Sequence, residues 1–270
     1  IEMSTSFIEI IEAAIKNGAK PENISTCHNF YPERYTAPSL EAINEINNYW
    51  KAKNIPVAIF ISSLVKGSHG PWPVSDGLPT IEEHRDMPIE EQLKHCLALD
   101  NVDEIIIGNA YASEDEFKAI DQVMKQVYVD VPKNEAFGFL ADFIPHGMIK
   151  RVPFKIQLEE GITELEKEIL FNYPTHSDLG DCMNYMLRSR WTRMIYKGKE
   201  IPCRPCTKTH YTRGDVVIVN DNLAHYRGEI QIVLKDMKVD GQRNLLGRID
   251  ESEIFILEHI KAKDVFTFVE

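Results

Sequence analysis

Long apolar runs are missing from this sequence. Nowhere do eighteen consecutive apolar residues occur, which excludes a helical membrane span. The opening IEMSTSFIEI lacks the basic start, apolar middle and small-residue cleavage site of a secretory leader. A cytoplasmic protein is the expectation, although a chain that opens on Ile need not begin at its natural start. Cysteine is sparse and odd in number: Cys27, Cys96, Cys182, Cys203 and Cys206 are five in 270 residues. A disulfide framework is not expected from such a set, and a reducing compartment fits. Basic charge is short as well. The net charge is −12, and no Lys/Arg stripe overrides that field, so a nucleic-acid partner is not expected. Missing too are a Gly-rich phosphate loop, a GxSxG elbow and an HExxH helix; Glu82-Glu83-His84 does not place two histidines one helical turn apart.

What is present divides into two rhythms. Up to residue 128, short β-rich runs alternate with amphipathic helical runs. The strands are IEMSTS, NISTCHNFY, PVAIFIS and DEIIIGNAYAS. Ser6-x-x-Glu9 and Ser113-x-x-Glu116 have the form of capping boxes, in which Ser accepts from a first-turn amide while Glu reaches back. Helical spacing runs through Ile8, Ile11 and Ile15, and again through Leu40, Ile43, Ile46 and Trp50. Four strand–helix units in series predict a parallel sheet with right-handed crossovers. A complete eight-unit barrel needs about 250 residues, so this segment is either half of such a barrel or a free-standing four-stranded open sheet. Past residue 150 the runs become PFKIQLEEG, the helix ITELEKEILFNY, then MNYMLRSRW, GDVVIVND, GEIQIVLKD, NLLGRI and IFILEHI. Strands at such short intervals predict a small sandwich or barrel. The expected division is therefore 1–149, the C-terminal half of a βα barrel, and 150–270, a β domain.

In βα folds the loops after the strands form the ligand face. Ser4, Thr5, Cys27, His28, Asn29, Tyr31, Arg34, Ser62, Asn109 and Tyr111 fall there. The stretch from His28 to Tyr35 is the densest. Its residues either cap loop backbone or form a site for sugar hydroxyls or a phosphate, for which His, Asn, Tyr and Arg are suited. The connection from Lys66 to Pro88 contains GSHGPWPVSDGLPT, too long for a plain connector, and reads as a lid carrying Gly70, Pro71, Asp76, Gly77, Leu78 and Pro79. Beyond the boundary, His176-Ser177-Asp178 and the run Arg188, Arg190, Arg193 form a polar group in an acidic chain. The arginines either bind an anion through their fork-shaped donors or pair with local acids. Cys203-Arg-Pro-Cys206 with His210 offers three zinc ligands where a structural site needs four, so two reduced cysteines in a loop is the plainer reading.

Several of these stretches are also recognisable together. Cys27-His28-Asn29-Phe30-Tyr31-Pro32, Gly70-Pro71, Gly77-Leu78-Pro79-Thr80, His84-Arg85 and Ile106-Ile107-Gly108 before Tyr111-Ala112-Ser113 occur in one order. Arg213-Gly214-Asp215-Val216, Tyr226-Arg227-Gly228-Glu229-Ile230-Gln231-Ile232 and Leu246-Gly247-Arg248 continue it. Together they resemble the 6-phospho-N-acetylmuramidase family, long known as a domain of unknown function and as "outer surface protein". The resemblance implies a TIM barrel followed by a cyclophilin-like β domain, with IEMSTS as the fifth barrel strand and DEIIIGNAYAS as the eighth. It implies a bacterial glycoside hydrolase acting in the cytoplasm on a disaccharide bearing 6-phospho-N-acetylmuramic acid, in peptidoglycan recycling, with no metal and no organic cofactor. A homo-oligomer is allowed; membrane and nucleic-acid partners are not implied.

The resemblance assigns His28, Asn29, Tyr31, Asn109 and Tyr111 to the sugar. Arg34, Arg188 and Arg193 are left for the 6-phosphate or the lactyl carboxylate. Two departures stand out. The family's G-D-P-Y-A-S pattern reads Gly108-Asn109-Ala110-Tyr111-Ala112-Ser113, so an amide replaces a carboxylate. The family's Tyr-Pro-Arg-Pro reads Tyr31-Pro32-Glu33-Arg34. Glycoside hydrolysis ordinarily needs two carboxylates, and Asn cannot move that proton. The acid and base are therefore unassigned, and a phosphosugar-binding relative that has lost its acid is the alternative.

Overall fold

The computed structural model describes residues 1–180 and 184–270; Cys182 and Met183, the first residue of one expected strand, lie outside the described residues. Its contacts group into two compact units, Ile1–Val123 and Met124–Glu270.

In the first unit, β1 (Glu2–Ser4), β2 (Ser25–Cys27), β3 (Val57–Ile61) and β4 (Glu104–Ile107) lie side by side in chain order. All three pairings are parallel, with Met3 opposite Thr26, Thr26 opposite Val57, and Ile59 opposite Ile105. The crossovers carry α1 (Ile8–Lys16), α2 (Leu40–Lys51) and α3 (Ile89–Ala98), and α4 (Glu114–Val127) follows β4 across the division. Central β3 is the most apolar and β-branched strand, and it is the one buried on both faces. Ile43, Asn47 and Trp50 bury one stripe of α2, as helical spacing requires. Trp50 donates its indole N–H to Thr5 O at 3.0 Å, satisfying a polar atom that burial would otherwise strand. The edge strand β4 keeps Ile105, Ile106 and Ile107 only half-buried.

Only one of the two expected capping boxes forms. Glu116 N donates to Ser113 Oγ at 3.2 Å, while Ser113 N donates back to Glu116 Oε2 at 2.8 Å. At the other, α1 starts one residue late, with Phe7 at the cap and no side-chain bond there. Ser6 Oγ bonds Ser4 Oγ at 2.9 Å instead, because the tight turn from Phe7 N to Ser4 O draws the two serines together. A box that the sequence reading passed over forms at Thr163 and Glu166.

The second unit is a β structure with short helices. β5 (Tyr128–Val131), β6 (Gly147–Leu158), α5 (Glu164–Phe171), β7 (His176–Ser177), β8 (Met186–Ser189) and α6 (Trp191–Ile195) come first. β9 (His210–Tyr211), β10 (Asp215–Val219), β11 (Ile230–Val233), β12 (Met237–Lys238), β13 (Arg243–Ile249) and β14 (Val265–Val269) follow. The main sheet runs β7-β14-β6-β13-β10-β11-β8, with β5 also on β6, and β12 pairs separately with β9. Its ordering is mostly antiparallel, but β14 joins β6 in parallel. The two ends of that order meet: His176 of β7 lies 2.9 Å from Ser189 Oγ of β8, giving the sheet a barrel-like curl.

Two of the expected strands differ from the sequence reading. IFILEHI is not a strand: Glu251–Glu258 is a 3-10 helix started by the Asp250 side chain, which accepts from Ser252 N. Its apolar residues are consecutive rather than alternating, so they bury Ile256 and Leu257 from a tight coil. The run ending in Trp191 stops as a strand at Ser189, where Thr192 Oγ1 donates to Ser189 O and α6 begins. Among the described residues no helix is long and apolar enough to cross a membrane.

Candidate functional site

The strands of the first unit end at Ser4, Cys27, Ile61 and Ile107, and the expected polar residues lie just past those ends. Their roles separate at once by burial. His28 is buried, with Nε2 2.6 Å from Asn47 Oδ1 and Nδ1 3.4 Å from Thr5 Oγ1. Asn47 continues to Asn101 Oδ1 at 3.2 Å, and Asn101 to Asn44 and Asn48. Burial lowers the His28 pKa, keeping the ring neutral and fixed against α2. His28 is thus a post beneath the loops. Asn29 is exposed, and its carbonyl accepts from Thr80 Oγ1 at 2.9 Å. Tyr31 is half-buried; its amide donates to Pro79 O and its carbonyl accepts from Arg85.

Asn109 is also buried, and all four of its hydrogen-bonding positions are used. Oδ1 accepts from Ser63 N at 2.8 Å and from Ser62 Oγ at 3.3 Å. Nδ2 donates to Ser63 O and to Ser68 Oγ, both at 3.0 Å. The side chain therefore pins the end of β3 to the start of the following loop. Glu116 pins the same segment from the other side, accepting from Ser63 Oγ at 2.8 Å and Leu64 N at 3.0 Å. Tyr111, two residues on, is exposed and meets His69 edge-on at 6.3 Å.

Arg34 is committed to carboxylates. Its Nη1 and Nη2 each lie 2.8 Å from Asp86, and its Nε lies 3.1 Å from Asp76. The hydrogen bonds from Asp86 and then Asp76 raise its pKa further, and the same pairing lowers that of Asp86. Arg85, which the sequence offered only as part of a motif, is 2% exposed. It pairs with Glu82 at 2.6 Å and donates to the carbonyls of Tyr31, Glu33 and Asp76, tying three loop segments together. Glu82, held chiefly by Arg85, drops to a pKa of about 2. Neighbouring His84 and Arg85 were conspicuous in sequence as a motif, but nothing in the pattern announced a buried clamp.

The expected lid splits in two. Gly70 and Pro71 are exposed and Asp76 is half-buried, whereas Gly77, Leu78, Pro79 and Thr80 are buried. Leu78 N donates to Ser62 Oγ at 2.9 Å, and Thr80 N to Phe60 O at 3.0 Å, so this part lies along β3. Gly77 is required twice over: its φ is +74°, and a Cβ would stand 2.7 Å from Ser62 Oγ. Gly108 is required by space, since a Cβ would meet Leu78 O at 2.6 Å.

Two cavities open on this rim. One of about 430 Å³ is polar and is lined by Arg34, Ser63, Lys66, Ser68, Asp76 and Asp86, among others. The other, about 380 Å³, is more apolar and is lined by His69, Pro71, Ile107, Asn109, Tyr111 and Phe117, among others. The site thus offers a charged pocket beside an aromatic one.

Arg188 and Arg193 belong to the second unit and are brought together there. Arg188 holds buried Glu229 in a two-point pair at 2.6 and 2.9 Å, and Arg193 reaches the same carboxylate at 3.9 Å. Both guanidinium groups lie over the Tyr226 ring, at 5.6 and 5.2 Å. His176 is wholly buried. Its Nε2 donates to Leu170 O at 3.0 Å, so Nδ1 must accept from Ser189 Oγ, and burial pushes its pKa down to about 3. Asp178 turns one oxygen to Gly180 N at 2.7 Å. Cys203 is exposed, Cys206 packs half-buried with Tyr211, and among the described residues no group of three His, Cys, Asp or Glu could hold a metal.

Comparison with known proteins agrees with this two-part architecture. Residues 1–122 match the model of the 6-phospho-N-acetylmuramidase N-terminal domain, and residues 152–269 match that of its C-terminal domain. A solved structure titled an uncharacterized B. cereus protein is 35% identical, with a TM-score of 0.84 over 100% of this chain and 70% of its own. A conserved Enterococcus faecalis protein of unknown function is 25% identical, with a TM-score of 0.61 over 100% of this chain and 65% of its own. No curated protein matches. Matched in both parts and in the same order, the chain belongs to the 6-phospho-N-acetylmuramidase family.

Proposed function

We propose that this chain carries one side of the active site of a bacterial cytoplasmic glycoside hydrolase that cleaves a disaccharide containing 6-phospho-N-acetylmuramic acid during peptidoglycan recycling. The match to both family domains carries the reading. The proposed architecture is the second half of a TIM-type barrel in residues 1–149 and a cyclophilin-like domain in 150–270. Support for the barrel half lies in the sequential parallel order and in the half-exposed isoleucines of edge strand β4, which a closed barrel would cover.

In this reading Asn29, Tyr31 and Tyr111 touch the sugar, while His28 and Asn109 hold the loops that present them. Arg34 in the first unit, and separately Arg188 and Arg193 in the second, are candidates for the 6-phosphate or the lactyl carboxylate. Each already serves a carboxylate, so an anion would have to exchange with Asp86 or Glu229. Gly70 to Ser75 is the mostly exposed part of the lid, and it ends at Asp76, which Arg34 and Arg85 hold.

One observation favours a second reading, a phosphosugar-binding relative without hydrolytic activity. A general acid needs a raised pKa, yet Glu82 and Asp86 on this rim are both held down by arginine, and the family's Asp position is Asn109. Purified protein given the phosphorylated disaccharide should release both sugars if it is the hydrolase. Binding without release supports the second reading, and neither binding nor release refutes both.

A further inference from the structure

The polar cavity on the rim is lined by three cations whose commitments differ. Arg34 gives three nitrogens to Asp76 and Asp86. Arg85 is buried among Glu82 and three carbonyls. Lys66 is exposed and has no carboxylate partner among the described residues. Asp76 and Asp86 together carry one more charge than the arginine they share, which makes that part of the cavity unfavourable to an anion.

The chain around Lys66 carries uncommitted donors. Leu64 N is bonded to Glu116, Val65 N to Ser63 Oγ, and Ser68 N to Val65 O. Between them the amides of Lys66 and Gly67 have no partner among the described residues. Gly67 has a φ of +89°, and left-handed residues in turns are where successive amides converge on an anion. Ser68 Oγ accepts from Asn109 Nδ2, leaving its own proton free to donate. An ammonium, two amides and a hydroxyl therefore come from three consecutive residues. Asn109 holds Ser68 directly and, with Glu116, fixes Ser63 and Leu64 just before the turn, so the turn is anchored at both ends.

We infer that the Lys66-Gly67-Ser68 turn after β3 binds the phosphate of the substrate, and that Arg34 is a loop clamp rather than the phosphate reader. The inference rests on the hydrolase or phosphosugar-binding reading above for the identity of the phosphate. In that reading β3 and β4 are the seventh and eighth barrel strands, whose following loops are a common phosphate site in such barrels. Here the loop after β4 contributes Asn109 as the buttress.

The test uses two probes on the whole chain. Calorimetry with the phosphorylated disaccharide and with its dephosphorylated form should show wild type preferring the former. Lys66→Ala should weaken the phosphorylated ligand about tenfold or more, the scale of one charge-assisted contact, and leave the plain disaccharide unchanged; Lys66→Arg should restore most of the loss. A preference that survives Lys66→Ala overturns the inference. Inorganic phosphate, followed by 31P line broadening, separates this claim from the functional one. Broadening in wild type that Lys66→Ala and Ser68→Ala abolish supports the turn even if no disaccharide binds, whereas no broadening in wild type overturns it.

Discussion

Replacing Asn109 by Asp keeps the shape of the side chain and introduces a carboxylate, so it tests what the position is built for. In the structure Nδ2 donates to Ser63 O and Ser68 Oγ, both at 3.0 Å. A carboxylate oxygen there leaves two acceptors facing each other at Ser63 O, while Ser68 can turn its hydroxyl and donate. One bond is lost, worth about 1 kcal/mol, and a buried carbonyl is left unsatisfied beside a charge, costing about 1–3 kcal/mol more. At pH 7 the variant should therefore lose about 3 kcal/mol. With a urea slope of about 2–3 kcal/mol per molar, that is a midpoint lowered by about 1 M. The loss is tied to the ionised form, whose folded-state pKa the site would raise. It is full above that raised value and disappears as pH falls toward the ordinary Asp value near 4. Urea denaturation at pH 7 and pH 4.5, with each curve referred to wild type, reads both effects. A variant as stable as wild type at pH 7 that also gains hydrolysis would refute the reasoning, because the pocket would then accept a carboxylate without cost.

Other perturbations test separate parts of the structure. Gly77→Ala must adopt a left-handed φ, costing about 1–2 kcal/mol, and must displace Ser62 Oγ from 2.7 Å; thermal unfolding should fall accordingly, and an unchanged midpoint would contradict the strained turn. Glu229→Gln removes the buried carboxylate that Arg188 and Arg193 share. Breaking such a pair costs about 3–5 kcal/mol, so denaturation should show a large loss, and a loss under 1 kcal/mol would mean the arginines find other partners. Burial holds His176 at about 3 against an ordinary 6.5. Between those values the unfolded chain takes a proton that the folded one refuses, so stability drops as pH falls through the window, by up to about 1.4 kcal/mol per pH unit. His84, buried against His95, acts in the same direction. Urea midpoints from pH 7 to 4 should decline, and His176→Gln should flatten part of that slope; a decline unaltered by the substitution would count against the assignment.

Local pattern was enough for the elements that local pattern controls. The apolar run of β3 and the spaced stripe of α2 are visible in sequence because one strand and one helix face each report their own burial. The Ser113–Glu116 cap is visible because its partners are three residues apart, and the same spacing misled at Ser6, where a turn drew the hydroxyl to Ser4. IFILEHI shows a related limit: four apolar residues in a row fit a strand or a tight coil, and the Asp250 cap decides for the coil.

The candidate site divides along the same line. The sequence by itself determined which polar residues stand at the ends of the four strands, since strand order and loop position follow from chain order. Tertiary structure alone decided what those residues do. His28 turns inward to Asn47, Asn109 saturates itself on Ser62, Ser63 and Ser68, and Arg34 closes on Asp76 and Asp86. Those partners lie 19 to 52 residues away along the chain, and no spacing rule connects them. Whether a polar group binds a ligand or a neighbour depends on which hydrogen-bonding positions folding leaves open. On this rim it leaves them open at Lys66, Gly67 and Ser68.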